Sequence, residues 1–243
     1  GGGGGPPGGG APAGDLPVEE RWDTGRYLRH LPGVFEAMRG TFGTELDLLP
    51  DVHHRLTPIE AARLGRSLEP YHPFWLEDVT PVENQEALRW VRAHTTVPLA
   101  TGEVLNSVFD YTHLVQNQLI DYLRSAVTHA GGLTGLRRIL EFAALFQIKS
   151  AIHGPTDISP VGLSAALHLD TAHHAFGIQE YMQHPESVYE VFGVGYSFEN
   201  GRFQPGDRPG LGVTFDLAAA RRHPYRRAYL PVNRLADGTV HDW

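Results

Sequence analysis

Short apolar runs and helical patterns alternate along most of this chain. Six runs predict strands, and the segments between them carry apolar residues three or four positions apart, as one face of a helix does. The predicted strands are 46–51, 74–77, 98–103, 119–124, 148–153 and 176–180. Strict alternation of strand and helix is typical of a parallel sheet with right-handed crossovers. We therefore predict an α/β fold.

The predicted helices have recognisable start signals. Thr24 can cap a helix that reaches about Phe42, and Thr57 opens a capping box with Glu60, with proline at the first helical position between them. The second helix should end near Leu68, ahead of a proline. The other predicted helices cover about 84–94, 106–117, 133–146 and 160–172.

The polar ends of the predicted strands recur about every 26 residues. One strand and helix of a TIM-type (β/α) barrel take roughly 30 residues, and functional side chains collect at the carboxyl ends of the strands. Eight strands close such a barrel, whereas about six of eight units are predicted here. We therefore expect a barrel that is incomplete at its N-terminus, with two open strand edges, and a full-length protein longer than this chain.

The two ends of the chain differ from the alternating part. Residues 1–16 are almost entirely Gly, Pro and Ala, so we expect them to be disordered. They lack the basic and apolar regions of a signal peptide. Residues 191–243 are rich in Gly, Pro and aromatic residues, and we expect this extension to pack on the barrel. The partial barrel itself is predicted to span 17–190.

Three acidic residues end consecutive predicted strands at identical spacing. Asp51, Glu77 and Glu103 are 26 residues apart, so a barrel would bring their carboxylates together at one mouth. Converging carboxylates repel one another unless a cation neutralises them, and a hard divalent cation prefers oxygen ligands. The alternative is three unrelated acids, each capping a loop.

Two histidines follow the first acid. His53 lies two residues after Asp51, so both side chains point the same way if the strand continues. Its ordinary pKa near neutrality suits a general acid or base. His54 should point away, and we expect it to be a surface or packing histidine.

Four more polar residues lie at or just after later strand ends. Arg124 offers a bidentate clamp for a substrate carboxylate. His153 opens the sequence HGPTD, from which Asp157 can reach back towards the site, and Glu180 ends the last predicted strand. A core ion pair or a packing histidine is the competing interpretation for each residue taken alone.

Composition narrows the function classes. The net charge of −8 argues against nucleic acid and anionic membranes as partners. Lys149 is the only lysine, so mechanisms with a lysine base are nearly excluded, and the absence of cysteine excludes thiolate chemistry. No apolar run approaches the roughly 18 residues of a membrane span.

Several long motifs resemble the mannonate dehydratases of the enolase superfamily. They are DVHHRLTPIEAARLG, PYHPFWLEDVTPVENQEALR, PLATGEVLNS, LIDYLR, HAGGLTGLRR, HGPTDISPV, FGIQEYM and AYLPVNRLADGTVHDW, in the family's order and spacing. The resemblance covers about Leu16 to Trp243. It implies the C-terminal barrel domain of that superfamily, without the capping domain that precedes it in the family, in a cytoplasmic enzyme that is a homo-oligomer when full length.

The resemblance also implies a reaction, which is the Mg²⁺-dependent dehydration of a small sugar acid to a 2-keto-3-deoxy acid. The matching positions are Asp51, Glu77 and Glu103 for Mg²⁺, His53 for the catalytic acid that helps expel the 3-hydroxyl, and Glu103, Arg124, His153, Asp157 and Glu180 for the substrate. Pro155 within HGPTD leaves D-mannonate and D-gluconate both open as substrates.

Two other functions remain open at this point. The family's proton-abstracting tyrosine and arginine precede the matched part, so an inactive fragment or pseudoenzyme that keeps the metal site is one alternative. Another metal-dependent acid-sugar lyase with the same three carboxylates is the second.

Overall fold

The computed structural model describes residues 17–241, so the segment 1–16, predicted to be disordered, lies outside the described part. The strands are β1 (Glu19–Arg21), β2 (Leu76–Glu77), β3 (Leu99–Thr101), β4 (Tyr122–Leu123), β5 (Lys149–Ser150), β6 (Phe192–Gly193), β7 (Ser197–Glu199), β8 (Arg202–Gln204), β9 (Thr214–Phe215) and β10 (Val232–Arg234). The helices are α1 (Thr24–Phe42), α2 (Pro58–Leu68), α3 (Ala87–Arg92), α4 (Val108–Gln116), α5 (Gly132–Ala144), α6 (Pro160–Ala172), α7 (Glu186–Tyr189) and α8 (Leu217–Ala220). No helix of residues 17–241 is long and apolar enough to cross a membrane.

The central element is a parallel four-stranded sheet in the order β2-β3-β4-β5. Each strand is followed by a helix, as the alternation predicts. Leu76, Leu99 and Leu123 of the sheet are almost fully buried and belong to one apolar cluster with Leu64 of α2 and Leu136 of α5. The helices therefore cover the sheet with apolar side chains, and its strand ends are left for polar ones.

The first predicted strand, 46–51, is not a ladder strand. It is an extended segment with a single bridge, Asp51 to Glu77. Its backbone accepts hydrogen bonds at Leu48 and Pro50 from the next segment, but Pro50 has no N–H to return, and this removes one rung of the ladder.

The last predicted strand, 176–180, is likewise reduced to one bridge, Ser150 to Phe176. The backbone N–H groups of Gly177 and Ile178 both donate to the carbonyl of Ser150. Two residues facing one partner disturb the register in the way a bulge does, so regular pairing stops although the segment remains beside β5.

The predicted helices occur, with shifts at some ends. Asp23, and not Thr24, caps α1, because its carboxylate accepts the backbone N–H of Arg26. The capping box at Thr57 and Glu60 is present as predicted. The helix predicted at 84–94 is shorter, since only Ala87–Arg92 is helical.

The C-terminal part contacts several elements of the barrel-type region. The Leu211 carbonyl accepts a hydrogen bond from Ser164 of α6, and Tyr196 packs with Leu163 and Leu167 of the same helix. β10 pairs in parallel with β1, near the start of the described chain.

Candidate active site

Polar side chains from successive strand ends meet at one edge of the sheet. Glu77 ends β2, Glu103 follows β3 by two residues, and Arg124 directly follows β4. All three are buried, with exposed fractions of 3%, 8% and 3%. Asp51 lies beside Glu77 through their bridge and is more exposed. Equal spacing in the sequence thus corresponds to neighbouring strand ends in the fold.

Arg124 is the centre of this cluster. Its Nε donates to Oε1 of Glu77 at 2.6 Å, and its Nη2 donates to Oε2 of Glu180 at 2.8 Å. The same Nη2 lies 3.8 Å from Oε2 of Glu103. The guanidinium also lies over the ring of Trp75, 5.7 Å from its centroid. One buried cation therefore joins carboxylates from three strand ends.

His153 contacts two carboxylates of the cluster, those of Glu103 and Glu180. Its Nδ1 lies 3.0 Å from Oε2 of Glu103 and 3.0 Å from Oε2 of Glu180. The backbone N–H of Gly154 donates to the same oxygen of Glu180 at 2.8 Å. Glu180 is thus held by three groups, although the strand predicted to carry it is irregular.

Glu77 is held from two directions. Trp75 donates from Nε1 to Oε2 of Glu77 at 2.9 Å, while Arg124 occupies Oε1. A carboxylate has about four lone-pair sites, so each oxygen keeps one free. Oxygens of Asp51, Glu77 and the neighbouring Asp78 lie within 4.8 Å of one another.

His53 reaches the cluster, but by a route that differs from the prediction. The strand does not continue past Asp51. Instead His53 and His54 both have positive φ, 55° and 64°, and form a tight turn. The Asp51 carboxylate accepts the backbone N–H of His53 at 2.8 Å, and Nε2 of His53 lies 3.9 Å from Oε1 of Glu103.

Asp157 is the one predicted site residue that the structure does not bring into the cluster. It is exposed in the turn before α6. Within the described residues, no hydrogen bond or ion pair joins it to the cluster. The loop that carries Asp157 nevertheless begins at His153 and Gly154, which do contact the cluster.

The pKa values of the carboxyl groups shift in opposite directions, upwards for Glu77 and Asp51 and downwards for Glu103. Burial raises the pKa of Glu77 to about 7, with Arg124 opposing the shift and Asp51 adding to it. Burial also raises the pKa of Asp51. Burial alone would raise the pKa of Glu103 as well, but the hydrogen bond from His153 and nearby positive charge hold it below its usual value.

In the ion pair of Glu180 with His153, the pKa values of both groups shift towards the charged forms. Burial opposes the charge on Glu180, but the hydrogen bond from His153 and the charge of Arg124 lower the pKa of Glu180 to about 2. For His153, the hydrogen bonds to Glu103 and Glu180 outweigh burial and raise its pKa to about 9. At neutral pH His153 is therefore an imidazolium. Burial lowers the pKa of His53, with Asp51 and Glu103 opposing the shift.

The donor set suits a divalent cation. Four carboxylates face only two cationic groups, those of Arg124 and His153, so the cluster holds an excess of negative charge that a divalent cation would offset. The carboxylates of Asp51, Glu77 and Glu103 could supply oxygen ligands, the kind that Mg²⁺ prefers.

Four residues of this region were not predicted. Asp78 and His54 are buried beneath the cluster, with Thr101 beside Asp78, and Trp75 supports Glu77. His54 was expected to be a surface or packing histidine, and it is buried. The signals in the sequence were the second acid in LED, and a tryptophan two positions before Glu77, on the same face of a strand.

Comparisons with known proteins show the family. Residues 21–220 match the model described as enolase C-terminal domain-like, and the chain belongs to this family. An enolase of Pantoea ananatis, crystallised with D-gluconate and Mg, aligns with a TM-score of 0.88 at 35% identity. That alignment covers 94% of this chain and 55% of the other.

Two curated relatives are more similar in sequence. A D-galactonate dehydratase family member of Pseudarthrobacter chlorophenolicus is 61% identical over 230 residues, which are 95% of this chain and 56% of the relative. A D-mannonate dehydratase of a Sphingomonas species is 57% identical over 229 residues, 94% of this chain and 57% of the relative. The chain thus spans about half the length of these relatives. The predicted family and barrel-type α/β fold are confirmed.

Proposed function

We propose that the full-length protein catalyses the Mg²⁺-dependent dehydration of a sugar acid, D-mannonate or D-gluconate or both, to 2-keto-3-deoxy-D-gluconate. The observation that carries this proposal is the buried Arg124, which gathers Glu77, Glu103 and Glu180 at adjacent strand ends with His153 beside them. The names of the relatives and the D-gluconate and Mg of the Pantoea ananatis structure support the substrate class and the metal.

Asp51, Glu77 and Glu103 are assigned to Mg²⁺. When bound, the ion stabilises the negative charge that develops on the substrate carboxylate as its α-proton leaves. Arg124 holds Glu77 through Nε and Trp75 holds its other oxygen. These two donors fix the carboxylate in place while leaving one lone pair on each oxygen for the ion.

His53 is assigned to the departure of the 3-hydroxyl. Dehydration removes the α-proton and the 3-hydroxyl as one water, so a protonated group must lie next to the leaving oxygen. His53 lies at the rim of the cluster, half-buried, with Nε2 facing Glu103. Burial lowers the pKa of His53, and the carboxylates of Asp51 and Glu103 oppose that shift by favouring its charged form. We assign the base that takes the α-proton to the remainder of the full-length protein.

The other residues are assigned to substrate binding. His153, as an imidazolium, and the Nη2 of Arg124 supply donors for sugar-acid oxygens, and Glu103 and Glu180 accept from hydroxyl groups. Their mutual hydrogen bonds fix the orientation of each side chain before substrate arrives. Asp157 is assigned by resemblance, and it would join the site through a movement of its exposed loop.

A screen of acid sugars with the full-length protein tests this function. We expect turnover of D-mannonate, D-gluconate or both in the presence of Mg²⁺, with formation of a 2-keto-3-deoxy acid and loss of activity on addition of EDTA. Turnover of a different acid sugar alone would instead support another lyase of the same family. Mg²⁺ binding without turnover of any acid sugar would contradict the proposal and favour a pseudoenzyme.

A further inference from the structure

A second set of buried polar residues lies directly beneath the cluster of carboxylates around Arg124. His54 lies in the turn after Asp51, Asp78 directly follows β2 and Thr101 ends β3, and their exposed fractions are 7%, 1% and 3%. Thr101 donates its hydroxyl to Oδ1 of Asp78. Nε2 of His54 lies 3.5 Å from the other oxygen of Asp78, Oδ2. The three side chains therefore link the three neighbouring segments that carry Asp51, Glu77 and Glu103.

The orientation of His54 is fixed by its other ring nitrogen. Nδ1 lies 3.1 Å from the backbone carbonyl of Thr80, and a carbonyl only accepts, so Nδ1 carries a hydrogen. Nε2 faces Oδ2 of Asp78, and neither atom has a hydrogen-bond partner among the described residues. Both ring nitrogens of His54 thus face the segment 78–80, which follows β2.

The backbone around this link adopts unfavourable conformations. His53, His54 and Asp78 have φ values of 55°, 64° and 42°. Left-handed backbone is unfavourable for a non-glycine residue and persists only where surrounding contacts impose it. The backbone N–H of His54 donates to the carbonyl of Asp78, next to the side-chain link. The two strained turns are therefore joined by main chain and side chain together.

We propose that His54, Asp78 and Thr101 are positioning residues that hold His53 over Glu103. His53 is adjacent to His54 in the strained turn, so releasing the His54 ring removes a contact that imposes the turn. The Nε2 of His53 would then leave its place 3.9 Å from Glu103. This inference rests on the proposed function for its kinetic part only, because the position of the His53 ring can be observed without substrate.

Two pairs of variants of the full-length protein test the link. Thr101→Val removes the hydroxyl donor at constant shape, and Thr101→Ser keeps it. His54→Asn keeps a donor near the position of Nδ1, for Thr80, and removes the contact with Asp78. We expect Thr101→Val and His54→Asn to lower kcat at least tenfold with less than a threefold change in KM. Thr101→Ser should retain at least a third of wild-type kcat.

A double-mutant cycle with His53→Asn separates positioning from general destabilisation. If His54 acts through His53, His53→Asn/His54→Asn should be no slower than His53→Asn alone. Additive losses would contradict the proposal. The matched control is His168→Asn, which replaces another histidine whose Nδ1 contacts a backbone carbonyl, within α6, and it should leave kcat within twofold.

The position of His53 is read independently from ring signals of ¹³C-histidine-labelled protein, assigned with His53→Asn. We expect one sharp His53 signal in the wild type and a broadened or shifted one in Thr101→Val and His54→Asn. An unchanged His53 signal would overturn the proposal, even if the protein proves not to be a dehydratase. A second divalent cation bound by the wild type in calorimetry, and lost in His54→Asn, would also overturn it, since His54 and Asp78 would then be ligands.

Discussion

Arg124 donates from Nε to Oε1 of Glu77 across 2.6 Å, and the side chains of both residues are at most 4% exposed. The two residues are 47 positions apart in the chain and belong to the ends of β2 and β4. A buried charge without a partner is strongly unfavourable, so each residue depends on the other. This pair connects the stability of the fold to the arrangement of the site.

Removal of the arginine should therefore destabilise the protein strongly. Arg124→Met leaves Glu77 and Glu180 without their cation, and we expect the free energy of unfolding to fall by about 3–5 kcal/mol. Urea titration of the full-length protein measures this. Arg137→Met is the control, because Arg137 pairs with Glu141 on the exposed side of α5 and should cost less than about 1 kcal/mol. Similar losses for the two variants would contradict the burial argument.

Gly102 should tolerate no side chain. Its φ is +131°, and a Cβ atom there would lie 2.8 Å from Cε1 of Tyr111, whose hydroxyl donates to the carbonyl of Gly102. Gly102→Ala should destabilise the protein by about 1–3 kcal/mol through strain and crowding, and should weaken Mg²⁺ binding because Glu103 follows directly.

The matched substitution is Gly40→Ala. Gly40 lies in α1, and apart from its chain neighbours and the backbone of its own helix, no atom of residues 17–241 lies within 4 Å of its Cβ position. This change should therefore stabilise the helix by about 0.5–1 kcal/mol. Thermal unfolding of both variants, with Mg²⁺ calorimetry, checks the pair. Equal effects of the two changes on stability would show that the backbone at Gly102 is not constrained.

These features show what the sequence could and could not predict. The 26-residue spacing located Asp51, Glu77 and Glu103 because one strand and helix have a nearly constant length. The irregular pairing near Pro50 and Gly177 was missed, since it depends on which neighbouring carbonyl each N–H meets. Similarly, alternation predicted His53 beside Asp51 along a strand, whereas a left-handed turn places it near Glu103. The partners of His54 and Asp78 depend on contacts between strands, which spacing alone does not determine.

The ion pair of His153 with Glu180 should make stability depend on pH in metal-free protein. The pKa of His153 is raised to about 9 from an ordinary value near 6.5, so its contribution is complete below about pH 6.5 and is lost as pH rises towards 9. The pKa of Glu180 is lowered to about 2, so its contribution is complete above about pH 4.5 and is lost as pH falls towards 2.

The matched variant is His153→Asn, which keeps a donor but is neutral at every pH. The difference in unfolding free energy between the wild type and His153→Asn, measured with EDTA present, should be largest near pH 5–6 and should shrink on both sides. A difference that stays constant from pH 5 to pH 9 would show that folding does not shift the pKa of His153.

His53 should matter for turnover and little for binding. In the full-length protein, we expect His53→Asn to lower kcat by about 10²–10⁴-fold, the usual contribution of a general acid, with KM changed by less than tenfold. Steady-state kinetics on the substrate found in the screen measures both. Turnover that survives within a few-fold would show that another group protonates the leaving hydroxyl.

Asp51, Glu77 and Glu103 should together hold the Mg²⁺ on which the proposed dehydration depends. A crystal structure of the full-length protein grown with Mg²⁺ tests this directly. We expect one ion at the carboxyl ends of the sheet, with one oxygen from each of the three carboxylates at about 2.0–2.1 Å. An ion bound elsewhere, or any one of the three side chains turned away from it, would contradict the assignment of these residues to Mg²⁺.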